Sequence, residues 1–119
     1  MQYMFLIYSK ETEEMTEEQA NEIRRAHRSV LEETSRRGIL LGVDRLHPTV
    51  TATSVRRSSE GAMVTDGPFA ETKEQLAGYY MIECADLDEA IEWAKRIPSG
   101  CRGGEGCIEI RPVAPLKKP

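Results

Sequence analysis

The sequence predicts an α+β fold in which two β-α-β units flank a β-hairpin. Short apolar runs bounded by polar residues are typical of buried strands. Two segments carry helix start and stop signals, and a stretch rich in β-branched residues is broken by turn residues. The chain has 119 residues, which fits a single domain over 1–119 with a core of its own.

The first unit begins with residues 3–8, an aromatic and aliphatic run that predicts a strand buried on both faces. Thr16 followed by Gln19 is typical of a capping box at the start of a helix. Gly38, which follows two arginines, is typical of a helix end. We therefore expect a helix over 16–37. Apolar residues resume directly after that glycine, which predicts a second strand over 39–46.

A hairpin and a second unit follow. Asp86 is suited to cap a second helix, and Pro98 ends it. The order of elements matches the ferredoxin-like, split β-α-β plan with an added hairpin. The remaining strands are expected over 49–57, 62–65, 78–84 and 107–113.

One face of such a sheet lacks a helix layer. Two helices cover one side only, and Phe5, Ile7, Tyr79 and Met81 cannot all point toward them. We therefore expect a homodimer in which two sheets pack face to face around a twofold axis. A ligand pocket is expected between sheet and helices or at the dimer seam.

Composition excludes several classes of function. A formal net charge of −4 offers no basic surface for direct contact with nucleic acid or an anionic membrane. The chain has no apolar run near the roughly 20 residues of a membrane span and no signal-peptide pattern, so we expect a soluble cytoplasmic protein. Three cysteines give no disulfide framework or zinc signature. The motifs indicate no cofactor and no metal.

His27 is the first candidate for chemistry. Helical spacing places it between Ile23, Val30 and Thr34 on the inward face of the first helix. One interpretation is a core histidine satisfied by a backbone carbonyl. The other is an acid or base in a pocket, because histidine alone titrates near pH 7 without help.

Asp66 is the candidate partner of His27. It precedes a Gly-Pro pair, where a carboxylate either closes an Asx turn or orients the histidine. Asp44 is a rival for that role because it also ends a strand. Tyr79 and Tyr80 alternate in direction, so one of them is expected to offer its hydroxyl to a ligand.

The run VTDGPFAETKEQLAGYY at 64–80 resembles the signature of the DGPF family, part of the YCII-related superfamily. The similarity extends over nearly the whole chain and includes the YMFLIY run at 3–8 and the Ala26-His27 pair. The chain departs from the family pattern at 99–106, where the loop is longer and contains Cys101.

The resemblance implies a ferredoxin-like fold that dimerises into an αβ barrel, with a histidine and an aspartate suspected of enzymatic work. The histidine corresponds to His27 and the aspartate to Asp66, with Asp44 left open because of the added hairpin. Within the matching run, Phe69 and Lys73 are candidate substrate contacts beside the two tyrosines. Some members of the family are fused to sigma-factor domains, which suggests a link to transcription initiation.

Three hypotheses follow. The first is a cofactor-free enzyme that moves a proton on an unidentified small molecule, in the style of an isomerase or lyase, with His27 as acid or base. The second is a non-catalytic ligand-binding or regulatory module that partners a sigma factor or another protein. The third is a structural dimer in which His27 is a satisfied core residue.

Overall fold

The computed structural model describes residues 1–11, 14–99 and 106–119. The loop that departs from the family pattern therefore lies mostly outside the described residues, and so does Cys101. The strands and helices of the described ranges are β1 (Gln2–Ser9), α1 (Glu17–Arg36), β2 (Leu40–Arg45), β3 (Thr53–Ser58), β4 (Gly61–Asp66), β5 (Gln75–Glu83), α2 (Leu87–Arg96) and β6 (Gly106–Pro112).

Four strands form one antiparallel sheet in the order β2-β5-β1-β6, and β3 pairs with β4 in a separate two-stranded sheet. Each β-α-β unit therefore has a strand of the other unit between its own two strands. This order is compatible with the ferredoxin-like plan. The predicted α+β class, with two helices and a hairpin, is confirmed.

Local capping signals place both helices as predicted. The Thr16 hydroxyl accepts from the Gln19 backbone amide, and the Gln19 side chain accepts from the Thr16 amide. Gly38, just beyond α1, has a φ of 70°, a left-handed conformation that glycine adopts without strain. At α2, the Asp86 carboxylate accepts from the Glu89 amide.

Two of the predicted strand boundaries are wrong. Residues Thr49–Thr51 form a short 3₁₀ turn instead of the start of a strand. The turn is held by Glu11, whose carboxylate accepts from both the amide and the hydroxyl of Thr49. The strand predicted over 78–84 begins earlier, at Gln75, because Gln75 and Leu76 pair with Ser9 and Tyr8 at the end of β1.

The core occupies the side of the sheet that carries the helices. The alternating pattern of β1 and β5 directs every second side chain toward α1 and α2. The buried apolar residues are Tyr3, Phe5, Ile7, Val30, Tyr80, Ile82, Cys84, Ala90, Trp93 and Ile97.

A polar clamp joins the ends of the two helices. The guanidinium groups of Arg37 and Arg96 lie over the Trp93 ring, 5.4 and 4.8 Å from its centroid. Both arginines also form ion pairs with Glu33. The clamp therefore holds the C-terminal end of α1 against α2.

The opposite face of the sheet carries half-buried Met4 and Leu6 from β1 and half-buried Tyr79 and Met81 from β5. Phe5 and Ile7 point toward the helices, so the side chains divide between the two faces. In the described part of the chain, α1 and α2 both lie on the other side. This face is apolar at its centre.

The β3–β4 hairpin extends away from the main body. Every residue of β4 is exposed, and so are five of the six residues of β3. The radius of gyration is 16.4 Å, larger than the roughly 13.5 Å expected of a compact domain of this length. An isolated two-stranded hairpin is marginally stable in water, and the exposure of both strands gives this hairpin little support from the main body.

We expect Gly78→Ala to destabilise the protein by about 1–3 kcal/mol. A Cβ at this position would lie 2.7 Å from the backbone oxygen of Asp44 and 3.3 Å from the Cα of Arg45, so β2 would have to move. Gly42→Ala is the matched control, since its Cβ would meet only Tyr79 and Met81 side chains at 3.8 Å or more. Urea unfolding measures both; equal effects would contradict a special role for Gly78.

Candidate functional site

His27 lies on the face of α1 that is directed at the sheet. Its Nδ1 atom is 2.6 Å from the hydroxyl oxygen of Tyr80 on β5. The two rings are nearly parallel, with an interplanar angle of 16° and centroids 5.8 Å apart. Tyr80 is only 1% exposed, whereas His27 is half-buried. The pair therefore joins the core to a position that solvent and ligands can reach.

Both members of the pair are neutral at physiological pH. Burial lowers the pKa of His27, and the positive charge of Arg45 lowers it further. Burial raises the pKa of Tyr80 to about 12. The site thus holds an uncharged imidazole against an uncharged phenol.

The hydrogen bond also indicates which imidazole nitrogen holds the proton. A buried hydroxyl that donates to nothing is costly. In the described residues, Nδ1 of His27 is the hydrogen-bond partner of the Tyr80 hydroxyl. We therefore assign Tyr80 as the donor to Nδ1, which leaves the imidazole proton on Nε2. His27 then has a neutral N–H donor at Nε2, the nitrogen that does not face Tyr80.

Asp44 lies on the other face of the sheet. The hydroxyl of Tyr79 donates to Oδ2 of Asp44 at 3.0 Å, and this bond is the main cause of the raised pKa of Tyr79. Tyr79 and Tyr80 thus point in opposite directions, as strand alternation predicts. Asp44 and His27 are separated by the sheet within one chain.

Asp66 is placed at the base of the hairpin. It is exposed and lines an open groove of about 720 Å³, together with the Gly67-Pro68 pair, Glu71 and the 3₁₀ turn. The backbone turns sharply at Gly67, whose φ is 99°. Across the described ranges, no hydrogen bond or ion pair joins Asp66 to His27.

Phe69 and Lys73 follow Asp66 on the same segment. Phe69 is 73% exposed, and its backbone oxygen accepts from the guanidinium of Arg56 on β3. Lys73 is also exposed. The sequence-predicted residues therefore fall into separate regions, with His27 and Tyr80 between helix and sheet, Tyr79 and Asp44 on the opposite face, and the 66–73 segment at the hairpin base.

The sequence patterns do not predict that Tyr80 and Arg45 belong to the His27 site. They predict Tyr80 as a ligand contact and not as the partner of His27, and they predict no role for Arg45. The signal for Arg45 was present, because it follows Val43 by two residues and a strand directs such residues to one face. Its closeness to His27 depends on the packing of α1 over β2.

The described ranges contain no group of three or more histidine, cysteine or acidic side chains that could hold a metal ion. Cys84 is a buried free thiol whose pKa burial raises to about 11, and Cys107 is a free thiol exposed on β6. None of the helices in these ranges is long and apolar enough to span a membrane.

Comparison with known proteins agrees with this architecture. A family model for the YCII-related domain matches residues 1–117. The chain is also 41% identical, over 121 residues, to the uncharacterized protein R00369 of Rhizobium meliloti (strain 1021), and this match spans all of the chain and 96% of that protein. This small α+β chain therefore belongs to the YCII-related family.

We expect Tyr80→Phe to cost about 1–2 kcal/mol of unfolding free energy, because it leaves Nδ1 of a half-buried imidazole without its donor. Tyr79→Phe removes the same atom from an exposed bond to Asp44 and should cost less than about 0.5 kcal/mol. Thermal and urea unfolding compare the two. A larger loss at Tyr79 would contradict the assignment of the buried bond.

Proposed function

We propose that this protein is a cofactor-free enzyme that transfers a proton on a small molecule, in the manner of an isomerase or lyase, and that His27 is its acid–base group. The observation that supports this most is the 2.6 Å hydrogen bond between His27 Nδ1 and the buried Tyr80 hydroxyl. A histidine held in one tautomer, half-buried and neutral, is suited to proton transfer near neutral pH.

In the proposed mechanism, Nε2–H of His27 donates to a substrate oxygen that gains negative charge as a carbon–hydrogen bond breaks. A neutral imidazole polarises a carbonyl in this way without first needing protonation. Tyr80 keeps the ring in place by donating to Nδ1, so it is a positioning residue. The proton then returns to a different substrate atom, which completes an isomerisation, or a leaving group departs, which completes an elimination.

The base that takes the proton from carbon is proposed to be Asp66, with Asp44 as the alternative. An acid and a base that act on different atoms of one substrate need no hydrogen bond between them. Asp66 lines a groove large enough for a small molecule. Asp44 lies across the sheet from His27, so it would serve the same substrate only from a second subunit. Phe69, Lys73 and Tyr79 are proposed substrate contacts.

This function can be tested without knowing the natural substrate. We incubate the protein in D₂O with a panel of small carbonyl compounds and follow the loss of carbon-bound protons by NMR. His27→Asn keeps a polar group near the Nδ1 position but removes Nε2, and it should slow exchange by about 10²–10⁴-fold. Asp66→Asn and Asp44→Asn identify the base.

The lowered pKa of His27 predicts how the rate of proton exchange depends on pH. The pKa of His27 lies below its usual value of about 6.5, so the neutral form is the majority form at pH 6.5 and above. Exchange should therefore fall as pH drops through the lowered pKa of His27, because a proton on Nδ1 removes the acceptor of the Tyr80 hydroxyl that holds the ring in place. Exchange that is unaffected by His27→Asn over this range would contradict the proposal.

We further propose that the functional unit is a homodimer in which two sheets face each other as an αβ barrel. The apolar centre of the uncovered face, with Met4, Leu6 and Met81, supports this arrangement. The extended hairpin supports it too, since Val55 and Val64 are opposite each other across its strands and are 65% and 64% exposed.

Leu6→Glu should convert the dimer into a folded monomer. It places a charge at the centre of the proposed interface, where the residues paired with Leu6 are Tyr79 and Glu109 and neither is a cation, while the core on the other face is untouched. Leu116→Glu on the exposed tail is the control and should remain dimeric. Sedimentation at micromolar concentration measures both, with circular dichroism as the test of folding. A monomeric unmodified protein would contradict the dimer.

The second candidate function is a non-catalytic ligand-binding or regulatory module, which includes a link to a sigma factor. The exposed apolar side chains of the hairpin region, such as Met63 and Phe69, favour an interaction surface. The exchange assay separates the two functions, because a binding module shows saturable NMR shifts with a compound but no exchange of its protons.

A further inference from the structure

We propose that the ligand of the His27 site is a small organic carboxylate and that Arg45 binds its negative charge. This inference rests on the proposed function in one respect, since it assigns a substrate class to the same site. The observations that support it are different ones, namely the positions of residues on β2 and β5 near the histidine.

Strand alternation places Arg45 on the face of the sheet that carries His27. Val43 packs against the core and pairs with Tyr80, the partner of His27. Asp44 points to the opposite face, where it bonds Tyr79. Arg45 follows on the same side as Val43, two residue pairs further along the strand.

The residue opposite Arg45 is Gly78. The backbone of β2 lies so close to it that a Cβ there would be 3.3 Å from the Cα of Arg45 and closer still to the Asp44 carbonyl. This approach fixes the base of the Arg45 side chain against β5. Because Gly78 has no side chain, β5 places nothing of its own between Arg45 and Tyr80 on this face.

The charge of Arg45 is not neutralised by the protein. In the ranges that the structure describes, no carboxylate forms an ion pair with it, whereas Arg37 and Arg96 share Glu33. The positive charge of Arg45 also acts on His27, because it contributes to the lowered pKa of that histidine.

Two groups that can donate to an anion, the guanidinium of Arg45 and Nε2–H of His27, thus lie on the same side of the sheet, and the charge of Arg45 acts on His27. Arginine binds carboxylates through two parallel hydrogen bonds. Adjacent residue pairs on one face of a strand are about 7 Å apart. A molecule of a few carbon atoms therefore spans the distance, with its carboxylate at Arg45 and a second oxygen at His27. These features favour a carboxylic acid that carries a nearby carbonyl or hydroxyl group.

The test follows the His27 ring resonances by NMR as the protein is titrated with acetate, lactate and benzoate. The matching neutral amides, acetamide, lactamide and benzamide, are the ligand controls. We expect saturable shifts with at least one carboxylate and none with its amide. We also expect a bound carboxylate to raise the pKa of His27, because it offsets the charge of Arg45.

Three variants assign the effect to Arg45. Arg45→Met should raise the pKa of His27 in the free protein and weaken carboxylate binding at least tenfold. Arg45→Lys keeps the charge but loses the two-pronged geometry, so it should leave the histidine pKa low while still weakening binding. Arg57→Met, an exposed arginine on the hairpin strand β3, should change neither quantity.

Failure of this inference differs from failure of the proposed function. If neither carboxylates nor Arg45→Met affect the His27 resonances, the carboxylate assignment is overturned, even when His27-dependent exchange of neutral carbonyl compounds persists. If carboxylates bind through Arg45 but His27→Asn leaves proton exchange unchanged, the assignment holds for a binding site and the enzymatic proposal fails.

Discussion

The alternation of side chains along β5 is the constraint on which the rest of the structure depends. Gly78, Tyr80 and Ile82 are buried against the helices, and Tyr79 and Met81 point the other way. One strand therefore contributes to the core, holds His27, and carries part of the uncovered apolar face. A shift of one residue in its register would exchange these roles, separating Tyr79 from Asp44 and Tyr80 from His27.

This alternation explains why two adjacent tyrosines have different chemistry. The Tyr80 hydroxyl lies in the core, where burial holds its pKa near 12 and its proton is available only to His27. The Tyr79 hydroxyl bonds a carboxylate at the surface, where water also competes for both groups. The first tyrosine is thus a fixed support of an imidazole, and the second is a polar group on the face of the sheet that the described helices leave uncovered.

Elements with local signals were predictable from the sequence, and features made by distant residues were not. The Thr16 cap, the glycine after α1 and the Asp86 cap depend on residues within one turn, so the helices were placed correctly. The 3₁₀ turn at Thr49–Thr51 depends on Glu11, 38 residues earlier, and the partner of His27 is 53 residues away. Helical spacing indicated that His27 faces inward, but only the packing of α1 on β5 identifies what it meets. The role of Asp66 stays a prediction.

The clamp around Trp93 has a practical consequence for the study of this protein in solution. Trp93 is the only tryptophan in the sequence, and it is 5% exposed between Arg37 and Arg96 at the ends of the two helices. His27 precedes Arg37 by ten residues, about 15 Å along a helix. Intrinsic fluorescence therefore reports the docking of α1 on α2 and the global unfolding of the chain. Because Arg96 also donates to the hydroxyl of Ser29, two residues after His27, a change in emission on addition of a compound would indicate a movement of α1 against α2.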